Sequence, residues 1–108
     1  GGVFTTNAAF TTANAKAAAG NFLKLFVLNT TANPRYFQLH NTATTPGGGA
    51  TAFFSVLVPA NSYVVLGNDA FGPEGIHLNT GIAIANSTVA ATYTAGTSGD
   101  LIAYYSFI

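Results

Sequence analysis

The sequence predicts an all-β chain: an antiparallel β-sandwich of jelly-roll-like form, with about seven or eight strands and an extended N-terminal arm. Three observations carry this. Beyond Gly20 the apolar residues fall in short alternating runs and not at helical spacing. Clusters of Gly, Pro, Asn and Ser interrupt those runs about every 8 to 14 residues, the rhythm of a sandwich or barrel. No fixed-period repeat is present, which disfavours a solenoid or propeller.

Residues 1–20 (GGVFTTNAAFTTANAKAAAG) stand apart as a segment biased to Gly, Ala, Thr and Asn, with Phe4 and Phe10 as its only large apolar groups. Ala13 to Ala19 has helix propensity, yet about seven residues are too few to hold a helix in isolation. A flexible tail, a short helix on its own domain and an arm ordered on a neighbouring subunit all fit this composition. The arm reading makes Phe4 and Phe10 its anchors and leaves residues 21–108 as the sandwich domain.

Asn21 to Leu28 reads as a strand, with Leu23, Leu25 and Val27 on one face and Phe22, Lys24, Phe26 and Leu28 on the other. Both faces are apolar enough to be partly covered. Asn29 to Pro34 (NTTANP) is a turn, and the residue before its proline is biased away from helix. Arg35 to Asn41 alternates again, with Phe37 and Leu39 inward and Tyr36, Gln38 and His40 outward. A loop over 41–50 carries three successive glycines. Thr51 to Val58 follows as a strand with Phe54, Val56 and Val58 toward the core. Pro59-Ala60-Asn61 then turns the chain into a strand over Ser62 to Leu66.

Gly67 to Gly75 (GNDAFGPEG) is a loop. Between Gly75 and Thr94, Ile82 and Ile84 supply core on one strand face while Ala83 and Ala85 allow close approach on the other. Asn86-Ser87-Thr88 turns, and Ala91 to Thr94 is a second β-prone piece. Ala95 to Asp100 (AGTSGD) is the last turn. Leu101 to Ile108 is the final strand, with Leu101, Ala103, Tyr105 and Phe107 on one side.

Charge is the outlying quantity. Asp, Glu, Lys and Arg make up 6% of the 108 residues, and the charges on Lys16, Lys24, Arg35, Asp69, Glu74 and Asp100 cancel. Ordinary soluble domains carry about 25% and rely on net charge to stay dispersed. A neutral surface of Thr, Asn, Ser, Ala and Gly therefore predicts coverage by neighbours. Three basic residues cannot neutralise a useful number of phosphates, which argues against nucleic-acid binding through a basic face. No run of about 18 apolar residues exists to span a membrane, and no basic-then-apolar block reads as a secretion signal. Cysteine is absent, so disulfide and thiol chemistry do not arise.

Reactive chemistry finds little material. His40, His77, Asp69 and Glu74 form the only ligand set one could assemble, and no short-range spacing joins them. A Ser/His/acid triad is arithmetically possible, but no G-x-S-x-G motif accompanies it. Asp69, Glu74 and Asp100 sit in loops and turns, where solvation is the usual role of a carboxylate, and not as a glycosidase pair. Gly47-Gly48-Gly49 lacks the G-K-[ST] of a phosphate loop. The expectation is a protein that is not an enzyme and holds no metal or cofactor.

Asn29-Thr30-Thr31 and Asn86-Ser87-Thr88 match the glycosylation triplet, as chance allows in a chain this rich in Asn and Thr. Tyr36, Tyr63, Tyr93, Tyr104 and Tyr105 read as core or interface, with a carbohydrate-stacking surface as the alternative. Arg35 is expected to pair with Asp69, Glu74 or Asp100, within the subunit or across an interface.

From Ala15 onward a series of short signatures occurs in order. Ala-Lys-Ala-Ala-x-Gly (Ala15 to Gly20) leads into an apolar strand ending in Asn (Leu23 to Asn29). Arg-Tyr-x-x-Leu (Arg35 to Leu39), a Pro/Gly loop (Pro46 to Gly49) and Val-Pro-Ala-x-x (Val58 to Ser62) follow. Thr-Gly-Ile-x-Ile-Ala (Thr80 to Ala85) with a trailing Thr-Tyr-Thr (Thr92 to Thr94) completes the series. Together they resemble small virion proteins of tailed bacteriophages, a group similar in architecture to β-sandwich head-decoration (cement) proteins and to small tail or fibre modules. The Thr/Asn-rich stretch before Ala13 departs from that pattern.

The resemblance implies a structural protein of the virion, located on the capsid surface. It would bind the major capsid protein and itself, as a homotrimer around three-fold points of the lattice. Residues 1–20 would lie over the capsid protein or a neighbouring copy. A tail or fibre module recognising host-surface glycans is the alternative. The group has no catalytic residues to carry over.

Overall fold

A computed structural model describes residues 4–108. Among them the strands are β1 (Thr5–Asn7), β2 (Thr12–Lys16), β3 (Gly20–Asn29), β4 (Arg35–His40), β5 (Phe54–Val58), β6 (Tyr63–Leu66), β7 (Ile76–Leu78), β8 (Ile82–Ser87) and β9 (Leu101–Phe107). A short helix, α1 (Asn68–Phe71), separates β6 from β7. One sheet has the order β1-β9-β3-β6, with β7 also on β3; the other has the order β2-β8-β4-β5. Every pairing is antiparallel. Strands β1 to β4 thus lie beside β9, β8, β6 and β5 as one long hairpin wound on itself, the jelly-roll connection. The expected antiparallel sandwich is present, with nine strands among the described residues in place of seven or eight.

The core fills the space between the sheets. Phe22, Leu25 and Val27 from β3, Phe37 and Leu39 from β4, Ile82 and Ile84 from β8, and Leu101, Ala103 and Tyr105 from β9 form its centre. Phe22 is the hub of the aromatic packing, with Phe37, Phe71 and Tyr105 at centroid distances of 6.2, 6.0 and 5.8 Å. Phe71 was expected in a loop. It is buried there because α1 turns it inward as a cap on the core.

Phe22 also departs from the alternation read in the sequence. It pairs with Phe107 while Lys24 pairs with Ser106, so β3 holds one extra residue between them. Such a bulge reverses the parity of the strand. Phe22 joins the core face of Leu25 and Val27, and Leu23 is buried outside the core cluster.

The N-terminal segment is extended, as expected, but it is not a separate arm. Thr5 lies opposite Tyr105 and Thr12 opposite Ala85, making β1 and β2 the edge strands of the two sheets. Phe10, at the corner between them, is 3% exposed and belongs to the core of its own chain. Ala13 and Ala15 pack against that core in place of the Ala-rich helix. Without this segment, β8 and β9 would present unpaired backbone groups at the sheet edges, and a Thr-rich extended piece satisfies them. The boundary at Gly20 therefore dissolves. The radius of gyration, 12.4 Å, is that of a compact chain of this length, for which about 13 Å is expected. Phe4 differs from Phe10: it is 53% exposed.

Gln38 and His40, expected to face solvent, are buried. The segment after β8 folds back over the outer side of their sheet. Ala91 to Thr94 takes part in isolated bridges, Thr51 to Thr92 and, next to it, Ser87 to Ala95, but forms no strand.

Candidate assembly surface

Alternate residues of β3, β6 and β9 point away from the core. Phe26 lies between Tyr104 and Val65, and Leu28 between Ile102 and Tyr63. The Phe26 ring stacks on Tyr63 at 5.4 Å and meets Tyr104 edge-on at 5.9 Å. Tyr63 and Val65 are 59% and 60% exposed; the other four are half-buried by one another. Two rows of apolar side chains therefore cover the outer face of this sheet. Lys24 at one end is the single charge on its strands.

Beside Lys24 the turn after β6 rims a shallow depression of about 440 Å³, lined by Lys24, Val65, Leu66, Asn68 and Asp69. Lys24 and Asp69 share this rim without forming an ion pair. The six side chains of the face carry no charge, and their hydrogen-bonding groups are the hydroxyls of Tyr63 and Tyr104, so burying their apolar surface is favourable.

The ion pair present among the described residues joins Arg35 to Asp100 of the same subunit, Nε donating to Oδ2 at 2.8 Å. Asp69 and Glu74, the other candidates, are exposed elsewhere. The Thr97 N–H donates to the same Asp100 oxygen at 2.7 Å, and Arg35 Nη1 donates to the Pro34 carbonyl at 2.9 Å. Burial pushes the Asp100 carboxyl up, but the Thr97 N–H, the Arg35 guanidinium and the Asn86 side chain outweigh it and hold it below its ordinary value. This cluster fastens β4 to the turn that leads into β9.

The histidines sit on different sheets. His77 Nδ1 lies 2.8 Å from Asn21 Oδ1 at the surface. His40 Nε2 lies 2.8 Å from Gln38 Oε1, while the Gln38 amide nitrogen faces the carbonyls of Val89, Ala90 and Thr92 at 2.8 to 3.0 Å. With its nitrogen donating to carbonyls, the Gln38 oxygen accepts, which assigns the His40 proton to Nε2. Tyr93 covers the His40 ring edge-on at 6.2 Å, and burial pushes the His40 pKa down. Ser87 Oγ extends the network, accepting from the Thr94 N–H at 3.1 Å. The group is a polar clasp holding the returning segment.

A second depression, about 310 Å³, adjoins His40 and is lined mainly by Asn41, Thr42, Thr44, Thr45 and Pro46. No group of three or more His, Cys, Asp or Glu that could hold a metal occurs among the described residues. No helix among them is long and apolar enough to cross a membrane.

Of the residues singled out in the sequence, Arg35 and Asp100 come together, whereas Phe4 and Phe10 end in opposite environments. The outer sheet face was not singled out. Its signal was the apolar character of both parities in β3, Phe26 and Leu28 alternating with Leu25 and Val27. Compared with family models, with curated proteins and with solved structures, the chain finds no match in any of the three.

Proposed function

We propose that the chain is a structural virion protein of a tailed phage, a capsid decoration protein that binds the major capsid protein on the head surface and associates with itself as a homotrimer. The observation that carries this reading is the uncharged aromatic and aliphatic face built by Phe26, Leu28, Tyr63, Val65, Ile102 and Tyr104 on a chain with 6% charged residues. Such a surface is suited to being covered by protein. Asp100 and His40, two groups with perturbed protonation, are engaged inside the fold and serve its rigidity. Stabilisation of the shell needs no chemistry. A protein that binds the assembled shell and not its separated subunits shifts the assembly equilibrium by about 2.7 kcal/mol per site when its concentration is about 100 times its Kd.

Co-sedimentation tests the proposal. The chain is expected to pellet with assembled heads and to ignore unassembled capsid protein. Failure to bind heads overturns it.

A second reading, a tail or fibre module binding host glycans, draws on the exposed Tyr63 ring, a surface on which a sugar could stack. Its neighbours Val65, Phe26, Leu28 and Ile102 provide none of the side-chain hydrogen bonds that fix a sugar's orientation. Binding on a glycan array that is lost in Tyr63→Ala would favour this alternative.

A further inference from the structure

We propose that the outer face of the β1-β9-β3-β6 sheet seats a second copy of this chain, the copies of a closed ring turning this face toward a common axis that runs along the strands in front of β3 and β6. This rests on the decoration reading for its self-association and names the surface that performs it.

Charge placement is the first argument. Lys24 and Asp69 rim one depression, at the end of the face where Leu25 pairs with Leu66. Neither has an ion-pair partner among the described residues. A symmetry axis parallel to the strands keeps both at the same level, so Lys24 of one copy comes beside Asp69 of the next. An axis across the strands would carry them to opposite ends. Because the chain has zero formal net charge, no long-range repulsion opposes the approach of a copy.

Area is the second argument. The β3–β9 ladder continues from Lys24 to Asn29 across a sheet of four strands in order. With six residues each from β3 and β9, four from β6 and three from β1, at about 4.8 Å between strands and about 3.3 Å per residue, the flat area is about 300 Å². A standard interface takes about 800 Å² per partner. The turn at Gly67–Ala70 beyond β6 and the exposed Phe4 beside β1 extend the face toward that figure. The centre is aromatic and uncharged with the charges at its rim, the anatomy of a specific interface.

The test is the mass of the full chain in solution, by sedimentation equilibrium, for the wild type, Val65→Glu, Lys24→Asp and the double exchange Lys24→Asp/Asp69→Lys. The wild type is expected to be a closed oligomer of two or three chains. Val65→Glu, at a side chain 60% exposed in the single chain, should keep its circular dichroism and melting temperature yet weaken association by about tenfold or more. Lys24→Asp should weaken association, and the double exchange should restore it.

A monomeric wild type, or Val65→Glu at wild-type mass, overturns the proposed surface. Failure of the double exchange to restore association overturns the proposed axis. A monomer that still pellets with heads would refute this interface and leave decoration standing. An oligomer built on this face that ignores heads would do the reverse.

Discussion

Phe10 meets Phe37 edge to face in the sandwich core, their ring centroids 6.4 Å apart. The contact ties the corner between β1 and β2 to the centre of β4, so the N-terminal segment is part of the fold it borders. Phe10→Ala should cost roughly 3–5 kcal/mol in chemical denaturation, the range for truncating a buried Phe. Phe4→Ala, at an exposed position, should leave stability within about 0.5 kcal/mol. Equal effects of the two substitutions would contradict this assignment.

Arg35 and Asp100 form a largely buried, hydrogen-bonded ion pair, so removal of either partner strands the other. Asp100→Asn or Arg35→Ala should destabilise by roughly 1–3 kcal/mol. The Asp100 carboxyl is held below its ordinary value of 3.8, so the unfolded chain takes up that proton first. Its contribution is fully present above about pH 3.8 and is lost as the pH falls through the lower folded value. Denaturation at a series of acid pH values should show this loss in the wild type and much less of it in Asp100→Asn.

His40 predicts a second pH dependence, in a higher window. Burial lowers its pKa from 6.5, so the unfolded state binds the proton more readily. Stability from the neutral imidazole is complete above about pH 6.5 and declines as the pH falls from there to the folded value. Melting curves between pH 7 and pH 5 should fall in the wild type and fall less in His40→Gln. The segment over Gln38, residues 88–95, should gain amide exchange first as the clasp loosens.

Gly81 packs closely against the β4–β5 loop at Thr42 and Ala43. A Cβ there would clash with the Thr42 carbonyl oxygen and the Ala43 backbone, and the Asn41 side chain accepts from the N–H groups of Thr80 and Gly81 at 2.9 and 3.3 Å. Gly81→Ala must displace backbone and should cost roughly 1–3 kcal/mol. Gly48→Ala, with nothing within 4 Å of its Cβ, should be close to neutral. Thermal melting of the two variants checks the contrast.

Much of the architecture was legible in local pattern. Strand β9 faces as its alternation predicts, and Ile82 and Ile84 enter the core while Ala83 and Ala85 are buried on the opposite face. Three features were not legible, each for a physical reason. The bulge that turns Phe22 inward inserts a residue that a period of two cannot register. The fate of Phe10 depends on the pairing of its flanking strands β1 and β2 with β9 and β8, far away in sequence. The burial of Gln38 and His40 depends on carbonyls some 50 residues later, of which polarity at positions 38 and 40 carries no trace.

A density map of an intact virion carrying this chain tests the decoration role most directly. That role predicts jelly-roll density on the outer surface of the head, repeated around the three-fold points, with the faces bearing Tyr63 and Val65 turned toward one another. Density for this chain confined to the tail tip, or a head surface without it, would contradict the role.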